Sequence, residues 1–360
     1  MTPKIDKALC VDCGLCDKAC PLGSGQTEKP AEAAYLFYHG DAQYRMTASS
    51  SGAFEAVCRG WIGDDAVSVF GCAMQPDGRS ACHMEASSWQ ELQQLKKSKY
   101  VQSDTKDAYR QVKHRLKAGR RVVFVGTPCQ VMGLKNYLGK PWENLLTVDF
   151  VCHGTPSPLA LERYIAALEK TLGCRVKNFS FRNKQQDGDK GWSSLGVMAV
   201  LEDGTAKAIP WEQCEYMIWF LQGALSAECC YSCRFASTSR CADVTLGDFW
   251  GVERLHPELG EKETDGVSLL LLNTDKGRAV GEFLRNMPQV RWEEHPICAA
   301  ARSNKQLTAP AQRHVWRDSF YKYLEKTDFT KALSRLTYGN LFTRVKRKCA
   351  RLLKRGNASQ

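Results

Sequence analysis

RRVVFVGTPCQVMGLKNYLG, residues 120–139, begins as a buried-strand pattern, stops at a Gly-Thr-Pro turn and continues with apolar residues at helical spacing. NLLTVDFVCHG, residues 144–154, repeats the layout, and LALERYIAALEKTLG (159–173) supplies the helix after it. Two consecutive strand–loop–helix units predict parallel strands in one sheet. Their following loops then leave at one edge, where open α/β sheets place ligands. Each loop carries a cysteine, Cys129 in Gly126-Thr127-Pro128-Cys129 and Cys152 in Cys152-His153-Gly154, so the two thiols are expected to face one another.

Outward from this centre the pattern stays mixed. Downstream, KNFSFRN (177–183) and LGVMAVLEDGTAKAIP (195–210) read as β segments, with Asp203-Gly204 as a hairpin turn. A helix over EQCEYMIWFLQGAL (212–225), the pair Cys230 and Cys233, strands in DVTLGDFWG (243–251) and VSLLLLN (267–273), and a final helical region follow. Upstream, AYLFYHG (34–40) reads as a strand and SSSGAFEAVCRGWIG (49–63) as a Ser/Gly loop opening a helix. WQELQQLKKSKY (89–100) and DAYRQVKHRLKAG (107–119) read as further helices. The connector LGSGQTEKPAEA (22–33) marks a boundary near residue 30. The expected organisation is a small module at 1–30, a first part of the main domain at 31–120, a second part at 121–300 and a helical, basic tail at 301–360. The expected fold class is α+β or α/β, a ferredoxin-like module followed by a mixed-sheet domain with flanking helices.

The small module carries Cys10, Cys13, Cys16 and Cys20-Pro21, the C-x2-C-x2-C-x3-C-P run of bacterial ferredoxins. Two-residue gaps let one short turn aim three thiolates at a cubane. Zinc ribbons instead split their ligands into two separated C-x2-C knuckles. In two-cluster ferredoxins the fourth cysteine of a run ligates the other cluster, and this chain has a single run. Cys20 therefore folds back to complete the site, or another residue or chain supplies a ligand. Cys129, Cys152, Cys230 and Cys233 form a second, dispersed set whose C-x2-C is open to three readings: a dithiol, a zinc half-site or half of a second cluster. Cys58, Cys72 and Cys82 read as buried small hydrophobes or spare thiols.

Composition sets limits on function. Hydrophobic residues are 43% and charged residues 25% of 360, ordinary for a globular protein, and the apolar runs are far short of a bilayer span. The N-terminus lacks a signal-peptide stretch, and cluster assembly needs reduced thiols, so a cytoplasmic location is expected and the 17 cysteines do not imply disulfides. Of the net charge of +11, seven units sit in TRVKRKCARLLKR (343–355). Read as a helix, this tail suits peripheral contact with an anionic membrane or an acidic partner, or simply a solvated terminal helix. No aromatic-rich motif accompanies it, so no nucleic-acid role is expected. No G-x-G-x-x-G opens a helix, so a Rossmann-type nicotinamide site has no support.

Six segments, SSSGAF, KSKYVQSD, GTPCQVMGL, LLTVDFVCHGTPSP, CYSCRF and ADVTLGDFWG, together resemble the coenzyme F-420 hydrogenase/dehydrogenase beta-subunit family, in the family's order, from about residue 35 to about residue 300. That resemblance implies an iron–sulfur flavoprotein holding a 4Fe-4S cluster beside FAD. It implies Cys129, Cys152, Cys230 and Cys233 as ligands of one cubane, with Cys229 a bystander and Cys241 in reserve. It also implies FAD contacts from Ser49, Ser50, Ser51 and Gly52, whose hydroxyls and free N–H groups can gather around phosphate. The alternative for that loop is a plain helix cap. Lys99 and Tyr100 fall in a motif the family uses near the flavin, and Asp248, Phe249 and Trp250 shape the same cavity or belong to the core.

The implied activity is that of an oxidoreductase passing electrons among one or two 4Fe-4S clusters, FAD and a redox partner protein, small hydride carrier or organic substrate. Archaeal members of the family use the deazaflavin coenzyme and wider relatives do not, and no motif here selects among substrates. No general acid or base stands out. His153 is a candidate proton donor, with a hydrogen-bonding or packing role as the alternative. A non-catalytic electron-transfer subunit and a zinc-stabilised structural protein are the other readings.

Overall fold

β5 (Val122–Val125) and β6 (Leu145–Phe150) pair in parallel, Val122 opposite Leu145 and Val125 opposite Val148, as the repeated layout predicts. The structure is a computed structural model that describes residues 5–23, 30–184, 196–259 and 266–338; the basic tail at 343–355 lies outside the described residues. The remaining strands are β1 (Ala33–His39), β2 (Val69–Met74), β3 (Ala81–Ala86), β4 (Ser103–Asp104), β7 (Val176–Asn183), β8 (Gly196–Leu201), β9 (Ala206–Pro210), β10 (Val244–Asp248), β11 (Ser268–Leu272) and β12 (Val290–Pro296). Nine of them form one mixed sheet in the order β12–β1–β11–β10–β6–β5–β2–β3–β4. Its four middle strands β10, β6, β5 and β2 are mutually parallel, and antiparallel partners extend it on both sides. The sheet runs across residue 120, because β2 pairs with β5.

Helices cover both faces, and the strands' period of two sends alternate residues to opposite cores. In chain order the helices are α1 (Leu15–Ala19), α2 (Ala42–Met46), α3 (Ala53–Ile62), α4 (Leu92–Leu95), α5 (Ala108–Lys117), α6 (Pro128–Leu138), α7 (Pro158–Leu172), α8 (Glu215–Leu221), α9 (Asp275–Arg285), α10 (Ile297–Ser303), α11 (Arg317–Leu324) and α12 (Phe329–Tyr338). Val122 and Phe124 pack with Val112 and Leu116 of α5 and Val131 and Leu134 of α6. Val123 and Leu146 pack with Ala56 and Val57 of α3 and Val280 and Leu284 of α9. This double cover explains why β5 is apolar throughout and β6 is apolar except for Thr147 and Asp149, which are buried with partners of their own. The second sheet, β7–β8–β9, turns at Asp203-Gly204 as expected, with Gly204 at φ +86°. Its Phe179, Phe181 and Val197 share a core with α7, α8, α11 and α12.

Two helical expectations shorten: the one over 212–225 spans only Glu215–Leu221, preceded by a 3-10 turn at Trp211–Gln213, and the one over 89–100 shrinks further. Within 89–100 only Leu92–Leu95 is helical, and Lys97 sits at φ +65°. Periodicity missed the reason: the Lys99 ammonium folds back onto the carbonyls of Gln94 (3.1 Å), Leu95 (2.8 Å) and Lys96 (2.6 Å), ending the helix as a C-terminal cation cap. The buried Lys96 is drawn instead to Glu55 and to Thr47 Oγ1 at 3.0 Å. No described helix is long and apolar enough to cross a membrane.

Candidate functional site

The carboxyl ends of β5, β6 and β10 open at one edge of the large sheet. Beyond β5, Thr127 and Gln130 form a capping box with Pro128 in the first helical turn, Thr127 N donating to Gln130 Oε1 at 3.0 Å. Thr-Pro-Cys-Gln thus fixes Cys129 in the first turn of α6. Beyond β6, Val151 N bonds Leu246 O at 2.8 Å, and the Cys152 sulfur accepts from Gly154 N at 3.4 Å. The chain then meets the second cysteine pair through a bridge between Pro156 and Ser226, continued by Ala227 N to Thr155 O at 3.0 Å and Cys230 N to Ala227 O at 2.9 Å.

Arg240 locks the segment after Cys233 to the strand ends. Its guanidinium pairs with Asp149 at 3.0 Å, both side chains essentially inaccessible, and donates to the carbonyls of Phe150 (3.2 Å) and Phe235 (2.8 Å). Burial pushes the Asp149 carboxyl up despite that cation, because desolvation outweighs the pairing.

Four dispersed cysteines of the sequence are therefore brought together. Cys129 feels Cys230, Cys233 and Cys229, and Cys152 feels Cys129, Cys230 and Cys233. Crowding by protein, then the neighbouring thiols, pushes Cys129 up to about 11 and Cys152 well above the usual thiol range. Cys129 nevertheless keeps solvent access at the rim, the side from which a ligand would reach it. Desolvated neighbouring thiols ionise only when a cation offsets their charge, which is the chemistry of a metal centre. Sulfurs on one tetrahedral zinc stand ~3.8 Å apart. Among the described residues no three cysteine sulfurs lie within 4.8 Å of one another.

The N-terminal run lies beside this centre. Cys10, Cys13 and Cys16 are exposed and Cys20 half-buried on a loop with left-handed Asp12 (φ +50°) and Gly14 (φ +66°) that enters α1. Helix α1 packs on α6. Asn136 of α6 donates to Cys20 O and Arg234, next to Cys233, to Leu22 O, both at 3.4 Å. The two cysteine sets thus share α6 as a support.

A third assembly joins SSSG, KSKY and GDFWG through Arg182 of β7. This buried guanidinium donates to Tyr100 Oη (2.9 Å), to Ser49 O (2.9 Å) and in bidentate fashion to Asp248 (3.2 and 2.6 Å). Sequence reading missed Arg182, because KNFSFRN mixes Lys177, Asn178, Ser180 and Asn183 with two phenylalanines and gives one more polar residue no distinguishing signal. Tyr100 lies in the aromatic core and accepts at its carbonyl from Tyr216 (2.7 Å). Ser49 Oγ receives Ser98 N (2.8 Å), and Ser51 receives His39 N (2.8 Å) while its own N donates to Ser268 Oγ (3.0 Å). Ser50 Oγ is buried with no partner among the described residues, and Lys184 Nζ donates to Ser50 O at 2.7 Å. Gly52 (φ +92°) opens α3 without a side-chain cap, and a Cβ there would fall 2.3 Å from the Tyr44 ring. The glycine is required by Tyr44, whatever else the loop binds. Phe249 is core, whereas Trp250 is partly exposed.

Other singled-out residues have identifiable partners. His153 Nε2 lies 3.3 Å from Leu221 O and its ring edges onto Phe220, and burial lowers its pKa; the neutral ring pins the loop to α8. Cys241 is buried with its thiol 3.3 Å from Pro128 O, supporting α6 from below. Cys229 is exposed, Cys58 and Cys82 are buried, and Cys72 packs at the edge of a core. Gly154 offers a direct test of the cysteine loop. At φ +105°, an added Cβ would stand 2.7 Å from Ser226 Oγ and 3.3 Å from Cys230 Cβ. Gly154→Ala is expected to cost about 1–3 kcal/mol in chemical denaturation. The same change at Gly173 (φ +69°), with open space around it, separates backbone strain from the clash and is expected to cost less.

The family model of the coenzyme F420 hydrogenase/dehydrogenase beta subunit, C terminus, matches residues 119–294. Among solved structures, a chain of the xenon-derivatised F420-reducing nickel–iron hydrogenase complex from Methanosarcina barkeri is 14% identical, with 79% of this chain and 97% of that chain covered and a TM-score of 0.49. No curated protein matches. The matched segment contains Cys129, Cys152, Cys230, Cys233, Arg182 and Asp248, and over residues 119–294 the chain is similar to the C terminus of the coenzyme F420 hydrogenase/dehydrogenase beta subunit.

Proposed function

We propose that the chain is an iron–sulfur oxidoreductase of this family, with one 4Fe-4S cluster on Cys129, Cys152, Cys230 and Cys233 and another on Cys10, Cys13, Cys16 and Cys20. The observation that carries the proposal is the convergence of the four dispersed thiols at the carboxyl edge of the parallel strands, with the N-terminal run held against the helix that begins at Cys129. Electrons enter at the exposed run and leave through the inner centre, or the reverse, to a redox partner protein or a small hydride carrier. Residues 1–30 act as the cluster module and 31–300 as the main body in its two parts, to whose second core α11 and α12 add; the basic stretch 343–355 is the proposed contact segment. Reduced thiols fit a cytoplasmic setting.

FAD is the cofactor that this chain's third assembly suits. The uncapped start of α3, the unpartnered Ser50 hydroxyl and the cation of Lys184 fit a phosphate, while Arg182 holds Ser49, Tyr100 and Asp248 in place around it. Lys99 supports the same loop through its three carbonyl contacts. Bound there, FAD would interconvert hydride and single-electron chemistry. His153 serves by positioning the Cys152 loop. A second reading, an electron-transfer subunit that docks to a catalytic partner, is favoured by the exposure of Leu9, Val11 and Leu15 around the N-terminal cysteines. Anaerobic purification with iron, sulfide, zinc and flavin assays tests the proposal. About eight iron atoms and one FAD per chain are expected; about four would remove one cluster, and zinc without flavin would overturn the reading. Turnover of a hydride carrier by the isolated chain separates the enzyme from the docking subunit.

A further inference from the structure

Away from the cysteines, three metal-ligating side chains converge on one point beside the outer strand of the large sheet. His256 follows the GDFWG turn, and Glu293 and His295 are two apart on β12, where strand alternation puts them on one face. His256 Nε2 stands 3.1 Å from His295 Nε2 and 3.1 Å from Glu293 Oε2, and His295 Nε2 stands 4.0 Å from that same oxygen. Among the described residues this is the single group of three or more His, Cys, Asp or Glu side chains whose donor atoms all lie within 4.8 Å. A triangle with these sides has a circumscribed circle of radius ~2.0 Å, the length of a zinc bond to imidazole nitrogen or carboxylate oxygen. That point lies in the plane of the three atoms, with His295 and Glu293 nearly opposite, so a tetrahedral ion carrying a fourth ligand requires Glu293, the most accessible of the three, to turn toward the histidines.

The surroundings suit an ion. The His256 and His295 side chains are 13% and 14% accessible and Glu293 is 32% accessible, so two ligands are largely enclosed and one side stays open to water. Phe249 lies edge-on to the His295 ring at 5.6 Å and walls the inner side. Glu258 Oε1 is 3.3 Å from His256 Nδ1, the place of the carboxylate that orients a metal-bound histidine. Arg291 donates to that nitrogen (2.9 Å) and to Glu258 (2.7 Å), and also pairs with Glu293. In the metal-free arrangement Arg291 therefore occupies the Nδ1 lone pair and His256 carries its proton on Nε2. Metal binding requires the other tautomer, with Nδ1–H donated to Glu258 and Arg291 left on the two carboxylates.

We propose that His256, Glu293 and His295 form a divalent zinc site, with water in the fourth position, that staples the turn after β10 to the edge strand β12. Two imidazoles and a carboxylate are zinc-type donors. The site shares no ligand with the cysteine centres, so its outcome is independent of theirs.

The test uses the full chain, purified anaerobically so that its cysteines keep their own metals, titrated with zinc chloride, desalted and assayed for zinc and iron. The wild type is expected to retain about one zinc more per chain than the His256→Gln/His295→Gln double variant, with iron equal in the two, and zinc is expected to raise the melting temperature of the wild type alone. Equal zinc in both proteins overturns the site. Should the double variant fail to fold, copper-loaded wild type decides: nitrogen hyperfine structure from two imidazoles in its electron paramagnetic resonance spectrum supports the site, and its absence refutes it.

Discussion

Cys152→Ser is expected to remove about four iron atoms per chain, one cubane, while the spectrum of the N-terminal cluster persists. Cys152 is the most informative of the four thiols because its place is the most constrained. Its sulfur already receives Gly154 N, its strand continues the hydrogen bonding of β6 through Val151, and Arg240 fastens the neighbouring Phe150 carbonyl. Serine keeps this geometry but offers a hydroxyl in place of the soft thiolate that iron–sulfur clusters require. Cys129 and Cys230 are less clean targets, since Cys241 lies below the start of α6 and Cys229 is adjacent to Cys230. Cys10→Ser is the complementary change and should lose the other cluster. Iron content unaltered by Cys152→Ser would refute the ligand assignment.

Arg182→Met is expected to be the most destabilising single change in the loop assembly, by about 3–5 kcal/mol, because it leaves a partner of a buried ion pair without its countercharge. The Arg182 and Asp248 side chains are only 5% and 13% accessible, and the change also strips donors from Tyr100 and Ser49. The urea midpoint measures the loss. Arg182→Met with Asp248→Leu should recover part of it, since removing both charges removes the uncompensated one. If the Ser49–Gly52 loop holds FAD, flavin bound at purification should fall in Arg182→Met more than stability alone accounts for. A loss below about 1 kcal/mol would mean that water or a neighbouring chain group replaces the guanidinium and that the three loops are held by packing.

The central strands were readable because a strand buried on both faces is predominantly apolar, as 122–125 is throughout and 145–151 is apart from Thr147 and Asp149. The cysteine at each strand end was readable for the same reason: its position follows from where the run stops. KSKY was not readable. Its apolar spacing continues a helix, but the Lys99 ammonium finds three carbonyls and ends it, and no local pattern encodes that folding-back. Arg182 was missed because its partners Ser49, Tyr100 and Asp248 lie 133, 82 and 66 residues away. His256 was missed likewise: nothing near it in sequence announces the β12 histidine 39 residues on.

The sequence by itself determined the parallel centre of the sheet, the placement of Cys129 and Cys152 at its carboxyl edge and the clustering of Cys10 to Cys20, since each depends on local spacing, burial periodicity and turn chemistry. Tertiary structure alone decided which distant groups meet: the buried ion pairs of Arg182 with Asp248 and Arg240 with Asp149, and the contact of His256 with Glu293 and His295. A buried charge must find its partner wherever the sheet order brings one within reach, and that order is settled by the packing of the whole chain.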